Sequence, residues 1–220
     1  MIVNDRITAY LNSLDMGNGD FLDGLAVKAR AEGIPIIRRE TESLLKVLVA
    51  AGQPAAILEV GTAVGYSSLI MSLAMPAGCH ITTIEKYERR IPAARENFKR
   101  AGRESDITLL EGDAEEILPS LAGPFDFIFM DAAKGQYLGW LPEILRLLSP
   151  GGFLVSDNVL QGGDIAESRY VVERRNRTIH GRMREYLYAL KRHPELETAI
   201  LPLGDGVAVS VKRECKENDT

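Results

Sequence analysis

Cysteine is scarce in this chain, and long apolar runs are missing. The two cysteines, Cys79 and Cys215, have neither the spacing of a metal site nor the density of a disulfide scaffold, so we expect no disulfide and a reducing, cytoplasmic environment. Apolar runs such as Phe127 to Met130 are far shorter than the ~20 residues that a bilayer span needs. The amino terminus also lacks the apolar core of a signal peptide. We therefore expect neither a membrane protein nor an exported one.

The 220 residues have the balance of an ordinary folded domain. Hydrophobic residues make up 45% and charged residues 26% of the chain, which excludes disordered and low-complexity classes. This length supports one well-buried core but not two ordinary domains. We predict a single domain over residues 1–212, with helices at 1–52 as its cap and a polar tail at 213–220.

Short apolar runs alternate with amphipathic segments after residue 52. This pattern is typical of a parallel sheet that is covered on both faces, because its strands have no solvent-facing side. We therefore predict a doubly wound α/β fold with amino-terminal helices. The five runs are 55–60, 79–85, 106–111, 125–131 and 152–157. A long helix is expected from about Glu167 to Arg192, and the tight LPLGDG connection favours an antiparallel hairpin at the carboxyl end.

Glycines and small polar residues follow the first predicted strand, at the sheet edge where ligands bind in open α/β folds. Gly61 and Gly65 allow a tight turn and a close ligand approach, and Ser67 opens the next helix. The GxxxG spacing after Glu59 is not the GxGxxG of dinucleotide-binding folds. An acidic residue at Glu59 favours a cationic ligand, which points to S-adenosylmethionine rather than NAD.

Two further strand ends complete the predicted cofactor site. Glu85 is spaced to accept hydrogen bonds from two ribose hydroxyls, and Asp113 and Ala114 suit the adenine edge. The alternative for each motif alone is a turn glycine or a helix cap. Three strand ends that agree in order favour the nucleoside site.

The fourth and fifth runs end in oxygen donors. Asp131 follows the fourth run, and Asp157 and Asn158 follow the fifth; these hard ligands suit a partly hydrated Mg²⁺, with Mn²⁺ or Ca²⁺ as alternatives. Lys134 is a candidate general base at the same site, so Asp131 and Lys134 are the candidate catalytic residues. The alternative is that the two aspartates are helix caps, Asn158 is a turn residue and Lys134 is a solvated charge.

The combination of EVGTAVGYS, Glu85, GDA, DAAKGQY and DNV resembles the metal-dependent O-methyltransferases of the catechol and caffeoyl-coenzyme A class, over residues 34–211. This resemblance implies a seven-stranded Rossmann-like methyltransferase sheet and a homodimer. It also implies Lys134 as the base and Asp131, Asp157 and Asn158 as metal ligands. The adenosylmethionine residues that it implies are Glu59, Gly61, Ser67, Glu85, Ala114 and Asp131. Ala133 stands where the plant enzymes commonly carry an acidic residue, which argues against a coenzyme A ester substrate.

Basic residues are concentrated in one segment of an acidic chain. The net charge is −5, but residues 169–192 hold eight Lys or Arg against two Glu, and hence +6. Because this segment follows Asn158 closely, we expect it near the active-site mouth; the alternative is a solvated helix face. There Arg174, Arg175 and Arg177 would hold a tRNA backbone, and Tyr137 would stack on the substrate ring.

Three functions are compatible with these residues. DAAKGQY, DNVL, the Arg-rich segment and the HPELETAILPLGDGVAVS ending are most similar to the bacterial methyltransferases of 5-hydroxyuridine in tRNA. The preferred prediction is therefore conversion of that wobble base to 5-methoxyuridine. Catechol also offers two adjacent oxygens to one metal, so a small catechol is the alternative substrate. A non-catalytic protein that binds adenosylmethionine or RNA is the third possibility.

Overall fold

A computed structural model describes residues 2–214 of the chain. Within these residues, seven strands form one sheet in the order β3-β2-β1-β4-β5-β7-β6. The strands are β1 (Ala56–Val60), β2 (His80–Glu85), β3 (Ile107–Glu111), β4 (Phe125–Met130), β5 (Leu148–Ser156), β6 (Leu196–Leu201) and β7 (Val207–Lys212). Strands β1 to β5 all run parallel to their neighbours, whereas β7 lies antiparallel between β5 and β6. The predicted seven-stranded sheet and its carboxyl-terminal hairpin are confirmed.

Helices cover both faces of this sheet. The helices are α1 (Asp5–Ser13), α2 (Asp20–Ala31), α3 (Arg39–Gly52), α4 (Tyr66–Ser72), α5 (Ile91–Arg100), α6 (Ala114–Ile117), α7 (Tyr137–Leu147) and α8 (Arg177–Arg192). The Asn4 side chain caps the amino terminus of α1 by accepting a hydrogen bond from the backbone N–H of Arg6 at 2.9 Å. The amino-terminal helices therefore form where the sequence predicted them.

Alternate residues of the central strands point into two separate apolar layers. Ile57 and Phe127 pack in the layer that holds α2 to α5, whereas Leu58 and Ile128 pack in the layer that holds α6 to α8. Successive side chains of a strand point to opposite faces, so a strand buried on both sides must be apolar throughout. This explains the continuous apolar runs in the sequence. Truncation of one buried phenylalanine such as Phe127 is expected to cost about 3–5 kcal/mol.

The long helix expected from Glu167 to Arg192 is shorter than predicted. Helix α8 begins at Arg177, after a 3₁₀ turn at 174–176 and an irregular segment before it. The Arg177 guanidinium donates to the carbonyl oxygens of Val172 at 3.1 Å and Tyr170 at 3.3 Å, which holds this segment in a loop. Adjacent β-branched residues also have low helix propensity, and Val172 is buried.

The remaining expectations concern the cysteines, the tail and membrane spans. Among the described residues, Cys79 is a buried free thiol. Cys215 and most of the predicted polar tail lie outside the described residues. No helix of residues 2–214 combines the length and the apolar character that a membrane crossing requires.

Candidate active site

A cavity of about 860 Å³ runs along the carboxyl ends of β1 to β5. The predicted site residues on its wall are Gly61, Ser67, Glu85, Asp113, Ala114, Asp131, Lys134, Asp157 and Asn158. Glu59 and Gly65 are absent from the wall. The structure thus brings the predicted cofactor residues and the predicted metal and catalytic residues into one cavity.

The first loop of the cavity depends on glycine for steric reasons. Gly61 has a φ of +107°, and a Cβ at this position would lie 2.2 Å from the carbonyl oxygen of Asp131. Gly65 has a φ of +82°, and its Cβ would lie 2.5 Å from the Phe98 ring. Gly61 therefore lets the ends of β1 and β4 approach each other at the cavity wall, whereas Gly65 is required by packing behind it.

Glu59 lies behind the same loop and is completely buried. One of its carboxylate oxygens accepts hydrogen bonds from the hydroxyls of Ser68 and Thr83. The other oxygen, Oε1, has no hydrogen-bond partner among the described residues. Burial raises the pKa of Glu59 to about 7. Glu59 therefore supports the cofactor loop from behind and does not reach the cavity, so the expectation that it contacts a cationic ligand directly is corrected.

Acidic side chains at the next two strand ends are held by backbone N–H groups. Glu85 accepts hydrogen bonds from Ala63 N at 2.6 Å and from Tyr87 N at 2.7 Å, so it joins the loops after β1 and β2. Asp113 caps α6 by accepting from Glu115 N at 3.0 Å. The Lys86 ammonium beside Asp113 lowers the pKa of that carboxyl. Both acids line the cavity in fixed orientations.

Some cavity residues were not predicted as ligand contacts from the sequence. Tyr87 and Arg90 line the cavity, and the Arg90 guanidinium carbon lies 5.1 Å from the centroid of the Tyr87 ring. Both residues closely follow Glu85, so the strand-end rule contained the signal for them. Arg38 and Asp205 also line the cavity, but no local motif distinguishes either one. Trp140 is buried and also reaches the wall.

The acceptor end of the cavity contains two neighbouring carboxylates. Asn158 joins them: its Nδ2 donates to Asp131 Oδ1 at 2.9 Å, and its backbone N–H donates to Asp157 Oδ1 at 2.7 Å. Burial, followed by the charge of Asp131, raises the pKa of Asp157 to about 7, and burial also raises the pKa of Asp131. Asn158 itself has a φ of +61°, an uncommon conformation that Asn tolerates better than most residues.

The chemistry of these three donors fits a hard divalent cation. Asp157 is buried and Asp131 is half-buried, and each carboxylate disfavours the charged form of the other, although the nearby Lys134 ammonium opposes this in part. A divalent cation held by these side chains would reduce the remaining cost. No three His, Cys, Asp or Glu side chains of residues 2–214 form a group that could hold a metal ion. The site would therefore need Asn158 as its third donor, with water or the acceptor as further ligands.

Lys134 and Tyr137 occupy very different positions. Lys134 lines the cavity at the start of a 3₁₀ turn, half-buried and close to the acidic pair. Tyr137 was expected to stack on the substrate, but it is fully buried. Its hydroxyl donates to the Met130 carbonyl oxygen at 3.1 Å and accepts from Ala132 N at 3.2 Å. Tyr137 therefore supports the loop between β4 and α7 from inside the core, and we correct the sequence-based expectation.

Many of the basic side chains in residues 169–192 are engaged within the protein. Arg177 holds the preceding loop, as described above, and Arg175 pairs with Glu173 at 2.7 Å. Arg182 donates to the Gly135 carbonyl oxygen and Arg184 to the Ile165 carbonyl oxygen, both at 3.1 Å. The predicted phosphate-binding role thus fits Arg177 poorly. Arg174 is exposed and has no ion-pair partner within residues 2–214.

The model of the O-methyltransferase family matches residues 23–213. The chain therefore belongs to this family, and the prediction of an S-adenosylmethionine-dependent O-methyltransferase enzyme is confirmed. Catechol O-methyltransferase of Niastella koreensis is 39% identical over 170 residues, which cover 74% of this chain and 76% of that protein. Catechol O-methyltransferase of Mycobacterium tuberculosis is 31% identical over 219 residues, covering 94% and 95%. The S-adenosylhomocysteine-bound Podospora anserina methyltransferase PaMTH1 superposes with a TM-score of 0.85 at 29% identity, covering 96% of this chain and 95% of that one.

Proposed function

We propose that this protein is a Mg²⁺-dependent O-methyltransferase that methylates a catechol-type acceptor with two adjacent oxygens. The observation that carries the proposal is the convergence of Asp131, Asp157, Asn158 and Lys134 in the cavity that also contains the glycine loop. The two catechol O-methyltransferases among the relatives support the same acceptor class. This reverses the order of preference from the sequence, where tRNA came first.

The cofactor end has the groups that a nucleoside sulfonium needs. S-adenosylmethionine supplies the electrophilic methyl group when it is bound. Gly61 lets the loop after β1 form the cavity wall against Asp131, and Ser67 offers a hydroxyl on the same wall. Glu85 is fixed by two backbone N–H groups, and its remaining lone pairs suit the ribose hydroxyls.

The acceptor end has the groups that activate and orient a hydroxyl. Asp131, Asp157 and Asn158 would hold the cation, which supplies Lewis-acid polarisation of the acceptor oxygens. Lys134, on the same wall, would take the proton of the acceptor hydroxyl that is to be methylated. Trp140 and Ala132 provide apolar surface on the adjoining wall for an aromatic ring.

A 5-hydroxyuridine base in tRNA is the second candidate acceptor. Tyr170 is 84% exposed, and it lies in a loop with the basic residues Arg169 and Arg174. An exposed aromatic side chain among basic residues suits stacking and phosphate contacts with RNA. Helix α8 follows this loop and contacts the Gly135 carbonyl beside Lys134, so RNA on this surface would have access to the cavity.

Transfer of labelled methyl from S-adenosylmethionine separates these candidates. Catechol and 5-hydroxyuridine-containing tRNA are offered in parallel, with and without EDTA. We expect efficient label in catechol that EDTA abolishes and Mg²⁺ restores. Label that enters tRNA with much higher kcat/KM would establish the second candidate, whereas EDTA-resistant transfer would refute the metal site.

We also propose that the protein forms a homodimer. Exposed apolar side chains of α1, such as Ile7, Tyr10 and Leu11, support this proposal because a dimer interface would cover them. Light scattering would test it by measuring the mass of the particle in solution.

A further inference from the structure

Arg38 and Asp205 form an ion pair on the wall of the active-site cavity. The Arg38 Nε donates to one carboxylate oxygen of Asp205 at 3.0 Å, and Nη2 donates to the other at 2.9 Å. The two residues are 167 positions apart in the chain, and both side chains remain partly exposed. Such a bidentate pair fixes the plane of the guanidinium.

The Asp205 turn is fastened to the loop that carries Asn158. The backbone N–H of Val159 donates to the Gly206 carbonyl oxygen at 2.9 Å, and that of Leu160 donates to the Asp205 carbonyl oxygen at 3.0 Å. Arg38 is therefore held beside the acceptor end of the cavity, not beside the nucleoside end. Its side chain comes from the segment that precedes α3, and residues 35–38 of this segment line the cavity.

The pairing leaves part of the guanidinium without a partner. Asp205 accepts hydrogen bonds from Nε and Nη2 of Arg38, whereas Nη1 of Arg38 has no hydrogen-bond partner within residues 2–214. An arginine in an open cavity, already oriented through one edge, has its other edge available for a further acceptor. The acceptor end thus contains a fixed donor that neither the cofactor nor the proposed cation site uses.

The charges at this end change sign when a cation is bound. Asp131, Asp157 and Asp205 oppose Lys134 and Arg38, which leaves a formal charge of −1. A divalent cation, which rests on the proposed function, would turn this to +1. A cavity end of net positive charge attracts an acceptor that carries a negative group in addition to its two adjacent oxygens.

We propose that Arg38 is a specificity-determining residue that binds an anionic group of the methyl acceptor. The anionic group is a carboxylate or phosphate on the same acceptor as the two adjacent oxygens. A carboxylated catechol and a 5-hydroxyuridine nucleotide both have this chemistry. Arg38 therefore discriminates charged acceptors from neutral ones of the same ring type, and Asp205 positions Arg38.

Two pairs of acceptors test this inference. The first pair is catechol and 3,4-dihydroxybenzoate, and the second is 5-hydroxyuridine and its 5′-monophosphate. We expect the wild-type enzyme to prefer the charged member of at least one pair by roughly tenfold in kcat/KM, and Arg38→Ala to remove this preference mainly through KM. Which pair responds identifies the source of the anionic group. Equal effects on charged and neutral members of both pairs would overturn the inference.

Arg39→Ala is the matched control. Arg39 is the neighbouring residue, its nearest ionic partner is Asp23 at 4.0 Å, and it does not line the cavity. The Arg38 side chain does not form a capping hydrogen bond with α3, so the Arg38→Ala substitution removes none of the hydrogen bonds of that helix. We expect Arg39→Ala to retain the charge preference, and a loss equal to that of Arg38→Ala would contradict the proposal.

In Arg38→Ala the Asp205 carboxylate loses its partner, and its negative charge could itself repel an anionic acceptor. The double variant Arg38→Ala with Asp205→Asn removes this charge. If Arg38 binds the anionic group directly, Arg38→Ala with Asp205→Asn still lacks the preference, whereas recovery would mean that repulsion by Asp205 caused the loss. Calorimetric binding of 3,4-dihydroxybenzoate with S-adenosylhomocysteine present gives a readout without turnover. Failure of every acceptor in the wild type would instead refute the proposed function.

Discussion

The two ends of the cavity satisfy their polar groups in different ways. At the cofactor end, both oxygens of Glu85 accept backbone N–H groups, and Asp113 caps a helix. At the acceptor end, Asp157 is buried and Asp131 is half-buried, Asn158 donates a hydrogen bond to each, and the pKa of each is raised. The fold itself therefore satisfies both acidic residues on the wall of the cofactor end. The acceptor end keeps a formal charge of −1 after Lys134 and Arg38 are counted against its three aspartates, and this excess of acidic charge favours a bound cation.

Asp157→Ala is expected to lower the activity more than any other variant, because it removes a proposed ligand of the cation. It changes the acceptor end alone, so binding of the cofactor should be kept. We expect methyl transfer to catechol to fall by about 10³-fold or more, while the affinity for S-adenosylhomocysteine stays within a factor of about three. Calorimetry and steady-state rates measure the two properties. Glu85→Gln is the contrasting variant, since it should weaken cofactor affinity first. If both variants changed the same parameter, the two ends would not be functionally separate.

Gly61→Ala is expected to disturb the junction between the two ends. Its Cβ would meet the Asp131 carbonyl oxygen at 2.2 Å, and its φ of +107° is unfavourable for any side chain. We expect the free energy of unfolding to fall by about 3–4 kcal/mol, measured by urea denaturation.

Gly78→Ala provides the control for backbone strain. Gly78 also has a positive φ, +85°, but nothing lies within 4 Å of its added Cβ. This variant should lose only about 1–2 kcal/mol. Equal losses in the two glycine variants would mean that the contact with Asp131 contributes nothing.

Glu59 makes stability depend on pH from behind the cofactor loop. Burial raises the pKa of Glu59 from 4.5 to about 7, so the folded state keeps this proton longer than the unfolded state does. The resulting stabilisation is complete below about pH 4.5 and is lost as the pH rises to about 7. For the wild type relative to Glu59→Gln, we expect a loss of about 1–3 kcal/mol between pH 5 and pH 8. Parallel stability curves for the two proteins would contradict this assignment.

The sequence predicted the sheet and the strand-end residues well, because each of these signals is local. Apolar runs reveal strands, and the residue after a run must lie at the sheet edge, which located Glu85, Asp131 and Asp157. Arg38 and Asp205 come together only through the fold, so no spacing rule links them. Tyr137 was misjudged because proximity to Lys134 in sequence does not say which side chain faces inward.

The smallest expected effect concerns Arg182, through which α8 contacts the acceptor end. Its Nη1 donates to the carbonyl oxygen of Gly135, the residue after Lys134, at 3.1 Å. We expect Arg182→Ala to lower kcat for catechol about 3–10-fold with KM little changed, because the loop that positions Lys134 loses one hydrogen bond. Arg182→Lys should restore part of the rate.

Arg192→Ala is the control for Arg182, since the Arg192 guanidinium lies 4.1 Å from the Tyr188 ring and contacts no cavity loop among the described residues. It should retain the wild-type kcat. The acceptor used in the assay decides between two roles of the basic segment. Arg182 does not line the cavity, so a positioning role lowers the rate with catechol as well, whereas a role in RNA binding lowers only the rate with tRNA. A loss confined to tRNA would therefore mean that Arg182 contacts the nucleic acid and that Lys134 is positioned without it.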